Sequence, residues 1–153
     1  HSCLLRPKSR GEVTLESADP FADPLIDPKF LSHPDDMKDM VDGYKAMMKV
    51  MSSEHFSKYI SEDTQRPVDI NDDADIEQAM RELADTVYHP VGTCKMGDDD
   101  MSVVDSNLKV HKMKGLRVVD ASIMPTLVGG NTNAPTIMIG EKASDLILNE
   151  WRI

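Results

Sequence analysis

Residues 87–97 read Val87-Tyr88-His89-Pro90-Val91-Gly92-Thr93-Cys94-Lys95-Met96-Gly97. This stretch decides how the chain is divided. The ring of Pro90 biases His89 away from helical backbone angles and toward extended ones. The sixteen residues before Tyr88, DDADIEQAMRELADTV from Asp72, carry apolar side chains at helical spacing: Ile76, Met80, Leu83, Ala84 and Val87. The reading is a helix that ends near Tyr88 and presents His89 at its exit. Gly92 and Gly97 bracket the short segment that follows, and irregular segments beside a helix end are frequent places for functional groups.

Upstream of this point acids and methionines dominate; downstream the chain turns to glycines and short apolar runs. Ser32-His33-Pro34-Asp35-Asp36 predicts a helix start, with a capping serine, an early proline and acids in the first turn. Met37, Met40, Val41, Tyr44, Met47, Met48 and Met51 follow at three- and four-residue steps, which is one apolar face. Ser53–Ile60 continues the helix after a break. Val13 and Leu15 alternate with Glu12, Thr14 and Glu16, so residues 4–17 predict a strand pair. The three Asp-Pro steps of residues 19–29 predict an extended, irregular loop. A further loop opens at Gln65-Arg66-Pro67.

The acidic run Met96–Asp100 lacks the Asp/Asn alternation and distant Glu of a calcium loop, and reads as a solvated turn. Residues 103–110 and 116–119 predict short strands separated by Gly115, the first containing the turn Asp105-Ser106-Asn107 and the second ending at Asp120. Ligands of open α/β sheets collect at such carboxyl ends. Residues 129–133, Gly-Gly-Asn-Thr-Asn, form a loop whose backbone can approach a ligand closely. Pro135 then starts a helix to about Asn149, buried along Ile139, Ala143, Leu146 and Ile147. Its free amides and partial positive charge favour an electron-rich ligand beside Asn131–Asn133.

Composition excludes several classes. The 153 residues carry a formal net charge of −10, against a nucleic-acid surface, which needs clustered Lys and Arg. Cys3 and Cys94 form neither a disulfide framework nor a CxxC pair, so a reducing compartment is expected: cytoplasmic, with a peripheral place at the inner membrane left open. His89 and Cys94 lack the further ligands a zinc site requires, so no metal is expected. The bottom-up candidates are His89 as proton acceptor, Asn131 as hydrogen-bond partner of a hydroxyl, and Asp120 as acceptor for ligand hydroxyls.

These residues also carry a resemblance. VYHPVGTCKMG (87–97), SVVDSNLKVHKMKGLRVVDASIMP (102–125) and GGNTNAPTIMIGEKASDLI (129–147) resemble the carboxyl-terminal part of the glucose-methanol-choline (GMC) oxidoreductase family. LRPKSRGEVTL (5–15) and DPLIDPKFLSHPDD (23–36) resemble its substrate-binding lobe. The likeness runs from about Leu4 to Trp151, in the family's order, and is greatest to its bacterial choline and alcohol dehydrogenases.

The resemblance implies an FAD-dependent oxidation of a primary alcohol to the aldehyde. By position His89 and Asn131 match the catalytic pair; Asp120, Ala121, Asn131, Thr132, Asn133 and Thr136 match flavin contacts; and Val87, His89 and Asn131 face the substrate. The implied fold is α+β: residues 1–86 as part of an antiparallel-sheet substrate lobe with helices, and 87–153 as the last strand and helix completing the FAD-binding domain. The family's G-x-G-x-x-G fingerprint is absent, and the chain does not start with Met. The expectation is therefore a piece of a longer enzyme whose N-terminal FAD-binding part is its partner, together with an alcohol and an electron acceptor such as a quinone. Alternatives within the family are an oxygen-using oxidase or a flavin lyase; outside it, a non-catalytic module that kept the fold.

Overall fold

The computed structural model describes residues 2–60 and 68–151; the Gln65–Pro67 loop lies outside them. The chain forms two units, His1–Val87 and Tyr88–Ile153.

In the first unit, α1 spans Pro34–Met51. Its cap is His33 rather than Ser32: Asp35 N donates to His33 Nδ1 at 3.2 Å. Pro34 at the first helical position fixes the entry angle without costing an amide the helix would use. Of the methionine stripe, Met37 closes fully into the core with Val41, while Met40, Met47, Met48 and Met51 are half-buried. A single turn, α2 (Glu54–Ser57), follows the predicted break. Helix α3 covers Asp73–Leu83, capped by Asp72, whose carboxylate accepts from Ala74 N and Asp75 N. Ile76 is fully buried against Met37 and Val41, with Leu31, Tyr44, Val68 and Met80 around them.

Helix α3 stops four residues short of the expected Val87. Ala84 turns extended after its amide donates to Met80 O. The continuation of the stripe has nothing to cover it: Leu83, Ala84 and Val87 are exposed. Tertiary packing supplies most of a helix's stability, so this one ends with its buried face. Hence 84–87 is an extended connection, and His89 is not at a helix exit.

The two strands also differ from expectation. β1 (Glu12–Thr14) pairs antiparallel with β2 (Leu25–Asp27), with Val13 opposite Ile26. The partner comes from the Asp-Pro stretch, not from residues 4–11. Pro24 and Pro28 limit β2 to three residues, too short to show a period. Both faces of the pair are exposed, Val13 at 48% and Ile26 at 69%.

The ribbon's neighbourhood is tied to α1 through a buried carboxylate. Asp36, 2% exposed, accepts from Lys8 N at 2.8 Å, from Ser9 N at 2.7 Å and from the Ser9 hydroxyl. Lys8 also pairs with exposed Asp35. Lys8 and Ser9 thus clamp the start of α1.

In the second unit, helix α4 spans Asn133–Trp151, two residues earlier than expected from Pro135. Ile139 and Ala143 bury against Val104, Leu108, Ile123 and Met124. Leu146 is half-buried, and Ile147 lies at the rim, 36% exposed. The strands expected at 103–110 and 116–119 reduce to single bridges, Met96 with Val104, Val104 with Val110, and Lys109 with Arg117. A turn interrupts them, closed by Leu108 N donating to Asp105 O, with Leu108 at φ 65°. Lys109 and Arg117 both pair with Glu150 and tie this region to the end of α4; the two cations hold the Glu150 carboxyl below its ordinary range. Among the described residues no helix is long and apolar enough to cross a membrane.

Candidate active site

Residues 89–97 form an arm rather than a helix end, and their backbone is fastened to two segments, 122–123 and 103–104. Cys94 N donates to Ser122 O at 3.0 Å, and Met96 N to Ile123 O at 2.8 Å. Lys95 O accepts from Val103 N at 2.9 Å, and Gly97 N donates to Val104 O at 3.0 Å. Gly92, at φ 90°, makes the turn that Lys95 N closes onto Gly92 O at 3.2 Å; side-chain-bearing residues avoid that conformation. At Gly97, φ 157°, a Cβ would stand 2.6 Å from Ser102 Oγ, so a larger residue would have to displace that hydroxyl.

At the head of this arm, His89 is half-buried and its Nδ1 lies 2.8 Å from Thr132 Oγ1. Thr132 is itself buried, 7% exposed. It immediately precedes α4, and its carbonyl accepts from Thr136 N at 3.0 Å and from the Thr136 hydroxyl at 2.7 Å. The imidazole is therefore anchored to the start of α4 by one ring nitrogen, leaving Nε2 as the other polar atom of the ring.

This closes a mechanical loop. The arm is bonded to 122–123; Ile123 and Met124 share a core with Ile139 and Ala143 of α4; and α4 begins beside the threonine that holds the histidine.

The remaining expected residues divide into two groups. Asn131 and Asn133 are exposed around Thr132, at the amino end of α4. Asp120 is not at a strand end. It caps the 3-10 turn Ala121–Ile123, with Oδ1 accepting from Ser122 N at 2.7 Å, and stays exposed. Ala121 and Thr136 are half-buried. Val87 belongs to the first unit, where it is exposed. His111 serves the fold instead, since its Nε2–H donates to Gly97 O at 3.0 Å. Both cysteines are free, and no cluster of potential metal ligands occurs among the described residues.

The sequence reading placed Thr132 among the cofactor contacts and passed over its bond to His89. One signal could have pointed there. A threonine directly before a helix normally caps it through its hydroxyl, taking the amide of the second or third helical residue. Here the third is Pro135, which has no N–H.

The family model for GMC oxidoreductase matches residues 7–140. The chain belongs to the GMC oxidoreductase family. It is 48% identical over 150 residues to the alcohol dehydrogenase [acceptor] of Pseudomonas putida, covering 98% of this chain and 27% of that protein. It is 44% identical over 147 residues to an oxygen-dependent choline dehydrogenase of Klebsiella pneumoniae, covering 96% of this chain and 26% of the relative. Among solved structures, formate oxidase of Aspergillus oryzae RIB40, studied for its FAD modification, superimposes with a TM-score of 0.87 at 34% identity, over 97% of this chain and 26% of that one. This GMC chain thus spans about a quarter of the length of the relatives it matches.

Proposed function

We propose that the protein to which this GMC chain belongs oxidises a primary alcohol, choline-like or aliphatic, to its aldehyde with FAD as cofactor, and that His89 and Asn131 are its catalytic pair. Residues 1–86 would contribute to the substrate-binding lobe, and 87–153 would complete the FAD-binding domain. The observation that carries the reading is the fixed imidazole: His89 is held by Nδ1 at the amino end of α4, with Asn131 exposed one residue from its anchor.

The local chemistry fits a flavin. The first amides of a helix have no intrahelical acceptor and carry partial positive charge. At α4 these are the amides of Asn133 and Ala134, since Pro135 has no N–H and Thr136 N donates to Thr132 O, and an electron-rich ring would be favoured beside them. Asp120 keeps a carboxylate oxygen beyond the one accepting from Ser122, suited to the hydroxyls of a ribityl chain. Asn133, Thr132, Thr136 and Ala121 would line the same region. FAD, when bound, supplies the acceptor for the hydride that leaves the carbinol carbon.

The chain's own residues do the rest. The Nε2 lone pair of His89 takes the hydroxyl proton of the alcohol. The Asn131 carboxamide donates to the same oxygen without competing for that proton. Val87 would take part on the substrate side. The other partners are the N-terminal part of the same protein and an electron acceptor, a quinone or another. Exposed Ile137, Met138, Leu148 and Trp151 on α4 suit an apolar surface of that N-terminal part.

In the full-length enzyme, His89→Ala is expected to lower kcat by about 10²-fold or more, with the flavin absorbance retained. Wild-type turnover in that variant would remove His89 from the mechanism. The relatives named oxygen-dependent dehydrogenase and oxidase favour oxygen as a second choice of electron acceptor; oxygen uptake measured beside dye reduction separates the two.

A further inference from the structure

From the His89–Thr132 geometry we infer that Thr132 is a positioning residue: its hydroxyl accepts the Nδ1–H of His89 and so keeps Nε2 unprotonated and aimed at the substrate oxygen. The inference rests on the proposed role of His89 and extends it to a residue that itself touches neither substrate proton nor hydride.

A neutral imidazole carries its proton on one of two nitrogens, and the bond made by one sets the state of the other. If Nδ1 accepted from the threonine hydroxyl, Nε2 would bear the hydrogen and could not act as a base. Only with Nδ1–H donating to Thr132 Oγ1 does Nε2 offer its lone pair. The bond also fixes the ring plane, and it persists once Nε2 has gained a proton, because Nδ1 is then still a donor.

Three features suit Thr132 to this role. It is 7% exposed, so water does not compete well for its hydroxyl. Its backbone is locked, with its carbonyl taking both the amide and the hydroxyl of Thr136. The third helical position, whose amide would commonly compete for a capping hydroxyl, is Pro135, with no N–H to give. The helix start has lost one claimant on the hydroxyl, and the imidazole takes it.

The test is a double-mutant cycle in the full-length, flavin-loaded enzyme, using Thr132→Val, Thr132→Ser and His89→Ala. Thr132→Val keeps the side-chain volume and removes the acceptor. It is expected to lower kcat about tenfold, the scale of one lost hydrogen bond, with KM and flavin absorbance unchanged. Thr132→Ser restores the hydroxyl and is expected within about twofold of wild type. In a His89→Ala background, Thr132→Val is expected to cost nothing further, since residues acting through one another are not additive.

A Val variant as fast as wild type overturns the proposal, as does a Ser variant as slow as Val. So does an equal Val penalty with and without His89, which would mark Thr132 as merely structural, or loss of flavin from the Val variant alone, which would make its hydroxyl a cofactor contact and not the anchor of His89. If His89→Ala itself turns over normally, the catalytic assignment of His89 fails instead.

Discussion

At Asp36 a single carboxylate gathers two backbone amides and a hydroxyl from Lys8 and Ser9, more than twenty residues upstream. Burial pushes its pKa up, but the Lys8 amide and the Ser9 hydroxyl and amide outweigh this and hold it below the ordinary range. A carboxyl depressed on folding stabilises the native state above its unfolded pKa, near 4, and loses that contribution as pH falls through the folded value. The clamp is therefore expected to be intact at neutral pH and to weaken only in acid, below about pH 4. Asp36→Ala is expected to cost roughly 2–4 kcal/mol at pH 7, because it leaves buried amides unpaired. Its penalty should shrink in acid, as read from denaturant midpoints at several pH values. An equal penalty at pH 7 and pH 3 would show that the charge contributes nothing. His89 and Thr132 belong to the same scale: one contact of 2.8 Å decides which ring nitrogen is available.

At the scale of elements, α4 connects core and site. Its amino end stands at His89, its buried side carries Ile139 and Ala143, and its carboxyl end is tied by Glu150 to Lys109 and Arg117. Ile139→Ala removes a packed side chain from this core and is expected to destabilise by about 2–4 kcal/mol. The melting temperature of the full-length enzyme is the direct measure, and an unchanged value would mean that other contacts position α4. Much of the element pattern was readable in residues. Asp72 and the Pro34–Asp36 turn announce α3 and α1 because caps act locally. What failed depends on distant packing. The end of α3 is set by where its apolar face runs out of partners, and β2 by a three-residue match to β1 between two prolines. The bridges of 103–117 are set by a left-handed Leu108 that breaks the run. The site followed the same division. His89 and Asn131 stood out by type and motif, whereas Thr132 became visible as the histidine's anchor only when residues forty-three apart were brought together.

The whole molecule is two units, each with a small core of its own. Apolar side chains remain on its surface, among them Phe21, Tyr59, Ile137, Met138, Leu148 and Trp151. With a quarter of the relatives' length, the chain holds the proposed catalytic pair and one rim of the proposed flavin site. The rim comprises a helix start, two asparagines and one carboxylate, without a glycine-rich phosphate loop of the dinucleotide-binding kind. The isolated 153-residue chain is accordingly expected to bind no FAD tightly. Gel filtration after incubation with FAD is the check: a peak at the chain's volume that stays yellow would refute it.

The fastening of the 89–97 arm to residues 122–123 has an evolutionary corollary. Adding or deleting one residue within 89–96, or between Ile123 and Thr132, would shift the histidine out of register with its threonine. The turn at 98–101 lies outside that closed loop and is exposed throughout, the kind of loop tip where insertions are accommodated. Length variation among descendants of this sequence should therefore collect at the Asp98–Met101 turn and be purged from the two segments that meet at the imidazole.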